Sequence, residues 1–465
     1  MRFDYTINAM TYFFETYGCQ MNVAESNGVE QVLKARGWQA GTAEDADLVI
    51  INTCSVRITA ENRVFGRLGF FSAQKKKRTI KILVMGCMAE RLKAEFSERF
   101  PFVDFVVGIG DRAMLEKIFA DLEDSTSGKN HSADVQEIAQ ASPIQSSNEK
   151  YLFANSSYRE GDFQSFVPIM NGCNNFCSYC IVPYVRGREV SRDVSAILRE
   201  VEMLGSKGVK EITLLGQNVN SYSGMLDGEK LDFPDLLERI CRACEKTDSI
   251  RWVRFMSSHP KDMSEKLIEV IAREPRVCKA VHLPVQNGSN PVLQAMNRKY
   301  TAEHYLALVA ALRKKNPGIA ITTDILVGFP GETEADLEAT LELMRTVEFN
   351  SCFMYHYNPR EGTKAFDFPN RIDEPVKIAR LQKVIDLQQA ITEKKMNEKI
   401  GSTVAVLLES HSRNDAAELF GHSEAGEMVV VKNTEPKNIG RFMQVRLERV
   451  NGKTFIGSVV ENPET

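Results

Sequence analysis

Short apolar runs alternate with helix-forming stretches over most of the chain, and this alternation restricts the possible folds more than any other feature. In residues 11–120 the runs TYFFETYG, DLVIINT and IKILVMG are separated by stretches such as SNGVEQVLKARG, which ends on a glycine suited to a helix C-cap. Strands that are joined through helices lie parallel, with helices on both faces of the sheet. The pattern predicts a small open parallel α/β sheet at the N-terminus.

The alternation returns in residues 159–395, where six strand candidates, from FVPIM to SCFMYHYN, are separated by helical stretches. Six β/α units predict a parallel barrel, complete or partial. The last region instead holds short runs such as EMVVVK and RFMQVRLERV, which are typical of a small antiparallel β barrel. We therefore predict a multidomain α/β protein. Its domains span 11–127, 159–397 and 400–464, with a polar linker over 128–158.

Composition sets the expected compartment and partners. The 465 residues carry a formal net charge of −4, so the overall charge does not indicate a nucleic-acid partner. No run of about 18 apolar residues is present, and the N-terminus lacks the pattern of a signal peptide. We expect a cytoplasmic, monomeric protein without a membrane segment. In a reducing compartment its ten cysteines favour metal ligation or catalysis over disulfides.

Three of these cysteines, Cys173, Cys177 and Cys180, are spaced C-x-x-x-C-x-x-C just after the first predicted barrel strand. Loops that follow barrel strands lie at the face where barrel enzymes carry out their chemistry. Three thiolates this close hold one iron–sulfur cluster and leave one iron without a protein ligand. Structural zinc is the alternative, but it normally takes four ligands, and no fourth Cys or His is nearby in the sequence. The spacing favours a cluster with an open iron.

Cys19, Cys54 and Cys87 are far apart in sequence, but each comes one or two residues after a predicted strand. Because the carboxyl ends of neighbouring parallel strands share one edge, these three side chains are expected to converge. Cys19 and Cys87 follow a glycine, which permits close approach of the backbone. Three semi-buried cysteines are the alternative. Three equivalent placements in one domain favour a second three-thiolate cluster.

The triplet, with Tyr179 before its last cysteine, resembles the signature of the radical S-adenosylmethionine superfamily. Apart from the first ten residues and the linker, the chain resembles the methylthiotransferase family. GCQMN and LGQNVN resemble the branch that methylthiolates carbon 2 of isopentenyl-adenosine at position 37 of tRNA. AESN after GCQMN departs from the more usual D-S-E run. The segments that carry the resemblance are YGCQMN (17–22), LLGQNVNSY (214–222), SSHP (257–260), LPVQNGSNPVLQAMNRKYT (283–301) and DILVGFPGET (324–333).

The resemblance implies two 4Fe–4S clusters and two roles for S-adenosylmethionine: methyl donor to a sulfur held at the N-terminal cluster, and radical source at the other cluster. It also implies a tRNA substrate, an external electron donor and a sulfur source. Two alternatives stay open. One is the same chemistry on threonylcarbamoyl-adenosine tRNA or on a ribosomal-protein aspartate. The other is a non-catalytic iron–sulfur or zinc module that binds RNA and senses redox state. The implied cofactor-binding residues are Gly216, Gln217, Ser258, Gln286, Gly328 and Glu332.

Candidate RNA contacts are basic residues in three places: after the cluster loop, in the densest basic run, and in the C-terminal barrel. Residues 401–465 hold seven Lys and Arg against nine Asp and Glu, so RNA binding by this barrel rests on the resemblance. A solvated turn or helix end is the alternative for each basic run. The candidates are Arg186, Arg188, Arg192, Lys75, Lys76, Lys77 and Arg441.

Overall fold

The computed structural model describes residues 9–55, 58–126, 153, 156–413 and 415–460. The chain divides into two compact units. The first comprises Met1–Asp162, Phe166–Phe176 and Cys180–Arg192; the second comprises Phe163–Ser165, Cys177–Tyr179 and Asp193–Thr465. Most of the predicted linker, 128–158, lies outside the described residues.

The first unit contains a parallel sheet of five strands, as the N-terminal pattern predicts. Its order is 2–1–3–4–5 in chain numbering. LVIINT, the central strand, is buried at every residue, which is typical of a parallel strand covered on both faces. The strands are β1 (Thr11–Tyr17), β2 (Gln39–Ala40), β3 (Leu48–Thr53), β4 (Lys81–Gly86) and β5 (Phe105–Val107).

Helices cover both faces of this sheet. Leu33 and Phe119 belong to the apolar cluster on one face, and Phe71 and Phe96 belong to the cluster on the other. The helices are α1 (Gln20–Ala35), α2 (Ile58–Lys75), α3 (Cys87–Arg91), α4 (Lys93–Arg99) and α5 (Ala113–Thr126). The predicted layered α/β arrangement is confirmed.

Strand β6 (Gln164–Pro168) begins in the second unit and ends in the first. The antiparallel pair β7 (Met170–Asn171) and β8 (Val190–Ser191) flanks the cysteine triplet in the first unit. Between the members of this pair lies the short helix α6 (Val182–Arg186).

The barrel strands form two three-stranded sheets, ordered β12–β9–β6 and β13–β14–β15. Apart from the end of β6, these strands belong to the second unit. A parallel bridge between Val253 and Val277 links β12 to the segment leading into β13. This is the predicted partial barrel, with an additional hairpin, β10–β11, that the strand pattern did not indicate. The strands are β9 (Glu211–Leu215), β10 (Ser223–Leu226), β11 (Glu229–Asp232), β12 (Trp252–Phe255), β13 (Ala280–His282), β14 (Ala320–Val327) and β15 (Ser351–His356).

Seven helices of this unit alternate with the strands, and most begin with a side-chain cap. Asp232 and Thr333 each complete a capping box, in which the cap side chain and the third helical residue bond to each other's backbone N–H groups. The helices are α7 (Val194–Ser206), α8 (Phe233–Glu245), α9 (Glu265–Arg273), α10 (Asn290–Ala295), α11 (Ala302–Lys315), α12 (Glu334–Val347) and α13 (Glu374–Glu398).

A closed five-stranded barrel, ordered β16–β17–β18–β20–β19, follows α13. Four of its pairs are antiparallel, but β18 and β20 pair in parallel because β19 crosses over before the last hairpin. Trp252 of β12 packs against Phe442 of this barrel at 4.6 Å between ring centroids. The strands are β16 (Thr403–His411), β17 (Leu419–Ser423), β18 (Met428–Lys432), β19 (Phe442–Asn451) and β20 (Thr454–Val459).

In the described part of the chain, none of the helices combines the length and apolar character needed to cross a bilayer.

Candidate functional site

Cys19, Cys54 and Cys87 lie at one edge of the first unit's sheet. Tyr17 of β1 pairs with Thr53 of β3, which in turn pairs with Gly86 of β4, so the three strands end side by side. Cys54 and Cys87 directly follow β3 and β4, and Cys19 comes two residues after β1. Cys54 and Cys87 are each 3% exposed, whereas Cys19 is exposed. The structure therefore brings the three predicted ligands to one place.

The Cys87 thiol is influenced by burial and by its charged and sulfur neighbours. Burial raises the pKa of the Cys87 thiol to about 12, Arg186 lowers it, and the Cys54 and Cys19 thiols raise it further. Among the described residues, no three His, Cys, Asp or Glu side chains are arranged to hold a single metal ion. A 4Fe–4S cluster is larger than one ion, and its thiolate ligands are correspondingly further apart. The all-sulfur donor set fits such a cluster.

The GCQMN motif is held against β3 by Asn22. Its Nδ2 donates to Asn52 Oδ1 (3.0 Å) and to the Thr53 carbonyl (3.1 Å), and its Oδ1 accepts from the Cys19 N–H (3.2 Å). Gly86 has φ of +98°, and a Cβ there would lie 2.5 Å from the Thr53 carbonyl oxygen. A glycine is therefore needed at Gly86 for approach to the neighbouring strand.

Part of the cysteine triplet is anchored in the first unit next to Cys87. Cys87, Ile109, Ile181 and Val185 form one apolar cluster, and Ile181 directly follows Cys180. The Cys173 N–H donates to the Gly187 carbonyl at 3.2 Å. The segment that carries Cys180 thus leads straight into a helix packed on Cys87.

Cys177 belongs to the second unit, where Arg298 Nη1 donates to its Sγ at 3.3 Å. The adjacent Ser178 fixes the backbone here. Its N–H donates to the Met296 carbonyl at 3.0 Å, and its hydroxyl donates to the Ala295 carbonyl at 2.8 Å. The loop is therefore held by the last residue of α10 and by the residue that follows it.

Buried polar atoms without partners mark the ends of the barrel strands. Ser258 Oγ and Asn218 Oδ1 are buried and have no hydrogen-bond partner among the described residues. Ser257 and Gln286 adopt φ of +67° and +73°, a strained conformation for residues other than glycine. Burying a polar group without a hydrogen bond costs free energy, and a bound ligand that forms the missing hydrogen bond removes this cost. These positions fit a small polar molecule such as S-adenosylmethionine.

The other predicted cofactor residues divide into two groups. Gly216 and Gln217 are partly exposed just after β9. Glu332 is buried, and its oxygens already accept from the Gly328 N–H (3.0 Å), Arg380 Nη1 (3.0 Å) and Asn287 Nδ2 (3.3 Å). Burial raises the pKa of Glu332. A cofactor contact by Glu332 stays a prediction, and in this structure its carboxylate closes the loop after β14.

The seven predicted RNA contacts are placed differently from one another. Arg186 is buried and paired with Glu25, and Arg192 is buried and donates to the Pro168 carbonyl. Lys75 pairs with Asp104 at 2.5 Å. The structure places the remaining four on the surface, with the Arg188 guanidinium 4.5 Å from the ring centroid of Phe176. These surface residues are Arg188, Lys76, Lys77 and Arg441.

Sequence reasoning missed a polar and aromatic face on the sheet β13–β14–β15. His282 Nδ1 lies 2.9 Å from Thr322 Oγ1, and its Nε2 lies 3.6 Å from Asp324 Oδ1. Phe353 packs edge-on against His282 and is 47% exposed, and Tyr355 is 37% exposed. The opposite face of β15 packs against α13. The alternation in SCFMYHYN, which puts both aromatics on one face, was the available signal.

Comparisons with known proteins match all three regions. Residues 167–344 match the Radical SAM superfamily, 11–108 match the Uncharacterized protein family UPF0004, and 397–460 match the TRAM domain. A solved radical S-adenosylmethionine methyltransferase from Kitasatospora setae superposes with a TM-score of 0.55. It shares 15% identity and covers 77% of each chain, a likeness of fold alone. The fold and the cysteine triplet define a protein of the radical S-adenosylmethionine superfamily.

Full-length relatives place the chain more narrowly. Proteins named tRNA-2-methylthio-N(6)-dimethylallyladenosine synthase are 58% identical in Treponema pallidum, over 97% of this chain and 99% of theirs, and 58% identical in Treponema denticola, over 96% and 99%. The protein of that name in Parabacteroides distasonis is 41% identical over 97% of this chain and 95% of its own. The chain belongs to the tRNA-2-methylthio-N(6)-dimethylallyladenosine synthase family.

Proposed function

We propose that this protein adds a methylthio group to carbon 2 of isopentenyl-adenosine at position 37 of tRNA. Family membership supports the reaction and the substrate, because relatives that match nearly the whole chain carry the corresponding name. The structural observation that carries the proposal is the convergence of Cys19, Cys54 and Cys87 at one sheet edge. A methylthio transfer needs a sulfur site in addition to the radical source.

Two sets of three thiolates would hold two 4Fe–4S clusters, each with one iron lacking a protein ligand. The cluster at Cys173, Cys177 and Cys180 would supply the electron that cleaves S-adenosylmethionine, and the other cluster would hold the sulfur to be transferred. The protein's own residues bind, orient and exclude water. We assign Ser258, Gln286 and the loops at 216–217 and 328 to the binding of S-adenosylmethionine. The unpartnered Ser258 Oγ and the positive φ of Gln286 support this assignment.

The face bearing His282, Asp324, Phe353 and Tyr355 suits an adenine ring. Exposed aromatic side chains stack on bases, and an adenine taken out of its RNA stack needs such a replacement. Asp324 accepts hydrogen bonds, and a substituted N6 of adenine keeps one N–H to donate. We propose that this face holds the target base while carbon 2 reacts.

Surface cations supply the remaining tRNA contacts in this proposal. Four of the predicted RNA contacts are exposed, whereas Arg186 and Arg192 are buried. The exposed four are Arg188, Lys76, Lys77 and Arg441.

We place the activity in the cytoplasm, in a monomer that takes electrons from an external donor and sulfur from a separate source. The domain bounds 11–127, 159–397 and 400–464 are part of the same proposal, with 128–158 as the linker.

Mass analysis of tRNA nucleosides from a strain deleted for the gene tests the function. We expect the methylthio form of isopentenyl-adenosine to disappear and to return with the wild-type gene. Its persistence in the deletion strain would contradict the proposed substrate. Loss of the methylthio group from threonylcarbamoyl-adenosine, or from a ribosomal-protein aspartate, would instead identify the alternative target.

Cysteine variants assayed anaerobically separate the two clusters. Cys54→Ala is expected to keep about half of the iron and to release 5′-deoxyadenosine from S-adenosylmethionine without methylthiolating tRNA, whereas Cys177→Ala loses both activities. Cys241→Ala is the matched control, since Cys241 is buried in α8 outside both sets. Wild-type protein with about one zinc, no acid-labile sulfide and no 5′-deoxyadenosine would favour a non-catalytic RNA-binding module.

A further inference from the structure

Arg298 is a buried cation directly in contact with one cysteine of the triplet. Its Nη1 donates to Cys177 Sγ at 3.3 Å, its Nε donates to Tyr300 Oη at 2.8 Å, and its Nη2 donates to the Pro284 carbonyl at 2.9 Å. The residue is only 8% exposed. All these groups belong to the second unit. Three hydrogen bonds thus fix the guanidinium, and one of them is donated to the cysteine sulfur.

No carboxylate of the described residues forms an ion pair with Arg298. Within the described part of the chain, its hydrogen-bond partners are a thiol, a phenol and a carbonyl, and none is a carboxylate. The Tyr300 hydroxyl itself donates to the Val285 carbonyl at 2.8 Å, so it serves as a neutral partner. A guanidinium stays charged in proteins, and a buried charge without compensation is strongly unfavourable. A deprotonated Cys177, the form in which a cysteine ligates a cluster, would place a negative charge directly against Arg298.

We propose that Arg298 is a positioning residue that raises the reduction potential of the cluster held by Cys173, Cys177 and Cys180. The inference rests on the proposed function, which assigns the cluster to these thiolates. Reduction transfers one electron from a one-electron donor to the cluster, and no bond or proton moves in that step. The added negative charge spreads onto the sulfur ligands, where the Arg298 N–H group meets it. Hydrogen bonds to sulfur and local charge are known determinants of cluster potential, and low solvent exposure strengthens both.

His259 packs against Tyr300, a hydrogen-bond partner of Arg298, and does not itself donate to the Cys177 sulfur. Its ring packs edge-on against Tyr300, at 5.5 Å between centroids, and its Nδ1 accepts from the Lys261 N–H. It therefore adds a neutral group beside the guanidinium. Lys299, the next residue after Arg298, is exposed to solvent, which screens its charge. The structure thus offers two adjacent cations that differ in burial and in contact with sulfur.

The test is a redox titration followed by electron paramagnetic resonance. Cys19→Ala, Cys54→Ala and Cys87→Ala together provide a background with a single cluster. In this background Arg298→Gln is expected to lower the ratio of reduced to oxidised cluster about tenfold at a given poise, a midpoint more negative by about 59 mV. Arg298→Lys keeps the charge but loses the fork, so a shift of about threefold in the same direction is expected. Lys299→Gln is the matched control and should leave the midpoint unchanged.

A bracing role without electronic effect gives a different result. In that case Arg298→Gln loses cluster or stability, but the cluster that remains has the wild-type midpoint; an unchanged midpoint in cluster-loaded Arg298→Gln and Arg298→Lys overturns the inference. The proposed role also predicts that 5′-deoxyadenosine formation by Arg298→Gln falls with a weak reductant and recovers with a stronger one. Absence of iron and sulfide from the wild-type protein would instead mark failure of the proposed function, so the two failures are distinguishable.

Discussion

Arg186 and Glu25 form a buried ion pair in the first unit, with Nη1 and Oε1 2.9 Å apart and side chains only 3% and 2% exposed. Arg186 Nη1 also donates to Asn171 Oδ1 at 2.9 Å, and Arg112 lies 3.1 Å from the same carboxylate. This network joins α1, which begins in the GCQMN motif, to α6, which follows the cysteine triplet. Arg186 therefore connects the segment that carries Cys19 to the segment that carries Cys180.

Arg186→Met is expected to reduce the free energy of unfolding by about 3 kcal/mol, because it removes a buried cation that is paired with the buried Glu25 carboxylate. Urea unfolding of wild-type and variant protein measures this. The same change should leave the salt dependence of tRNA binding unaltered. Arg188→Met is the comparison: its side chain is exposed, so we expect unchanged stability and a salt slope smaller by about 1. A reduced salt slope for Arg186→Met would restore the RNA-binding prediction for that residue.

The sequence of three fold types along the chain was predictable, because each type has its own local pattern of apolar residues. These types are the N-terminal parallel sheet, the partial β/α barrel and the C-terminal β barrel. Apolar runs such as LVIINT and their alternation with helices identify a parallel sheet whatever the rest of the chain does. The convergence of Cys19, Cys54 and Cys87 was also predictable, since strand ends in a parallel sheet share one edge. The topology of a parallel sheet therefore predicts that these three cysteines lie close together although they are distant in sequence.

Contacts between side chains from distant segments had no comparable signal. Arg186 and Glu25 are 161 residues apart, and Arg298 and Cys177 are 121 residues apart. A single sequence does not say which of its 58 Lys and Arg residues meets which partner. The exposed arginines and the buried ones in YVRGREVSR look alike in sequence, because burial depends on how the loop packs. The parallel pairing of β18 with β20 likewise depends on the crossover of β19.

His422 is expected to make stability depend on pH. Burial alone would lower its pKa, but hydrogen bonds to Glu211, at 2.9 Å, and to Glu409 outweigh burial and raise the pKa to about 9. Trp252 and Arg254 are its other close neighbours, and Arg254 holds the pKa down. Since the folded form binds the proton more tightly than the unfolded form, the stabilisation is complete below about pH 6.5. It is lost as pH rises through about 9.

Unfolding in urea at pH 6.5 and pH 9.5, followed by tryptophan fluorescence, checks this expectation. The wild-type protein should lose about 3 kcal/mol more between these pH values than His422→Gln, in which the titrating group is gone. His411→Gln controls for the loss of an exposed histidine from the same barrel. Equal pH dependence of His422→Gln and wild type would show that this contact does not stabilise the charged imidazole.

Gly328 is predicted to be intolerant of any side chain. Its φ is +73°, and a Cβ there would overlap the side chain of buried Lys377, whose Nζ donates to the Tyr357 carbonyl at 3.0 Å. Gly331 has a similar φ of +83° but open space around the Cβ position. We expect Gly331→Ala to cost about 1 kcal/mol from backbone strain and Gly328→Ala about 3 kcal/mol, measured by urea unfolding. Equal losses would mean that Lys377 moves aside freely.

Phe353→Ala is expected to weaken use of the tRNA substrate selectively. Phe353 is 47% exposed on the face that also carries His282 and Asp324, so truncation removes a stacking surface and leaves the buried side of β15 intact. Stacking of a base on an aromatic ring contributes about 1–3 kcal/mol, so kcat/KM for tRNA should fall about tenfold or more. Formation of 5′-deoxyadenosine without tRNA should be unchanged, since Phe353 lies outside the proposed cofactor contacts. Ile378→Ala, which truncates an exposed apolar residue on α13, serves as the control. If Phe353→Ala matched this control on tRNA, the target base would have to stack on some other part of the barrel.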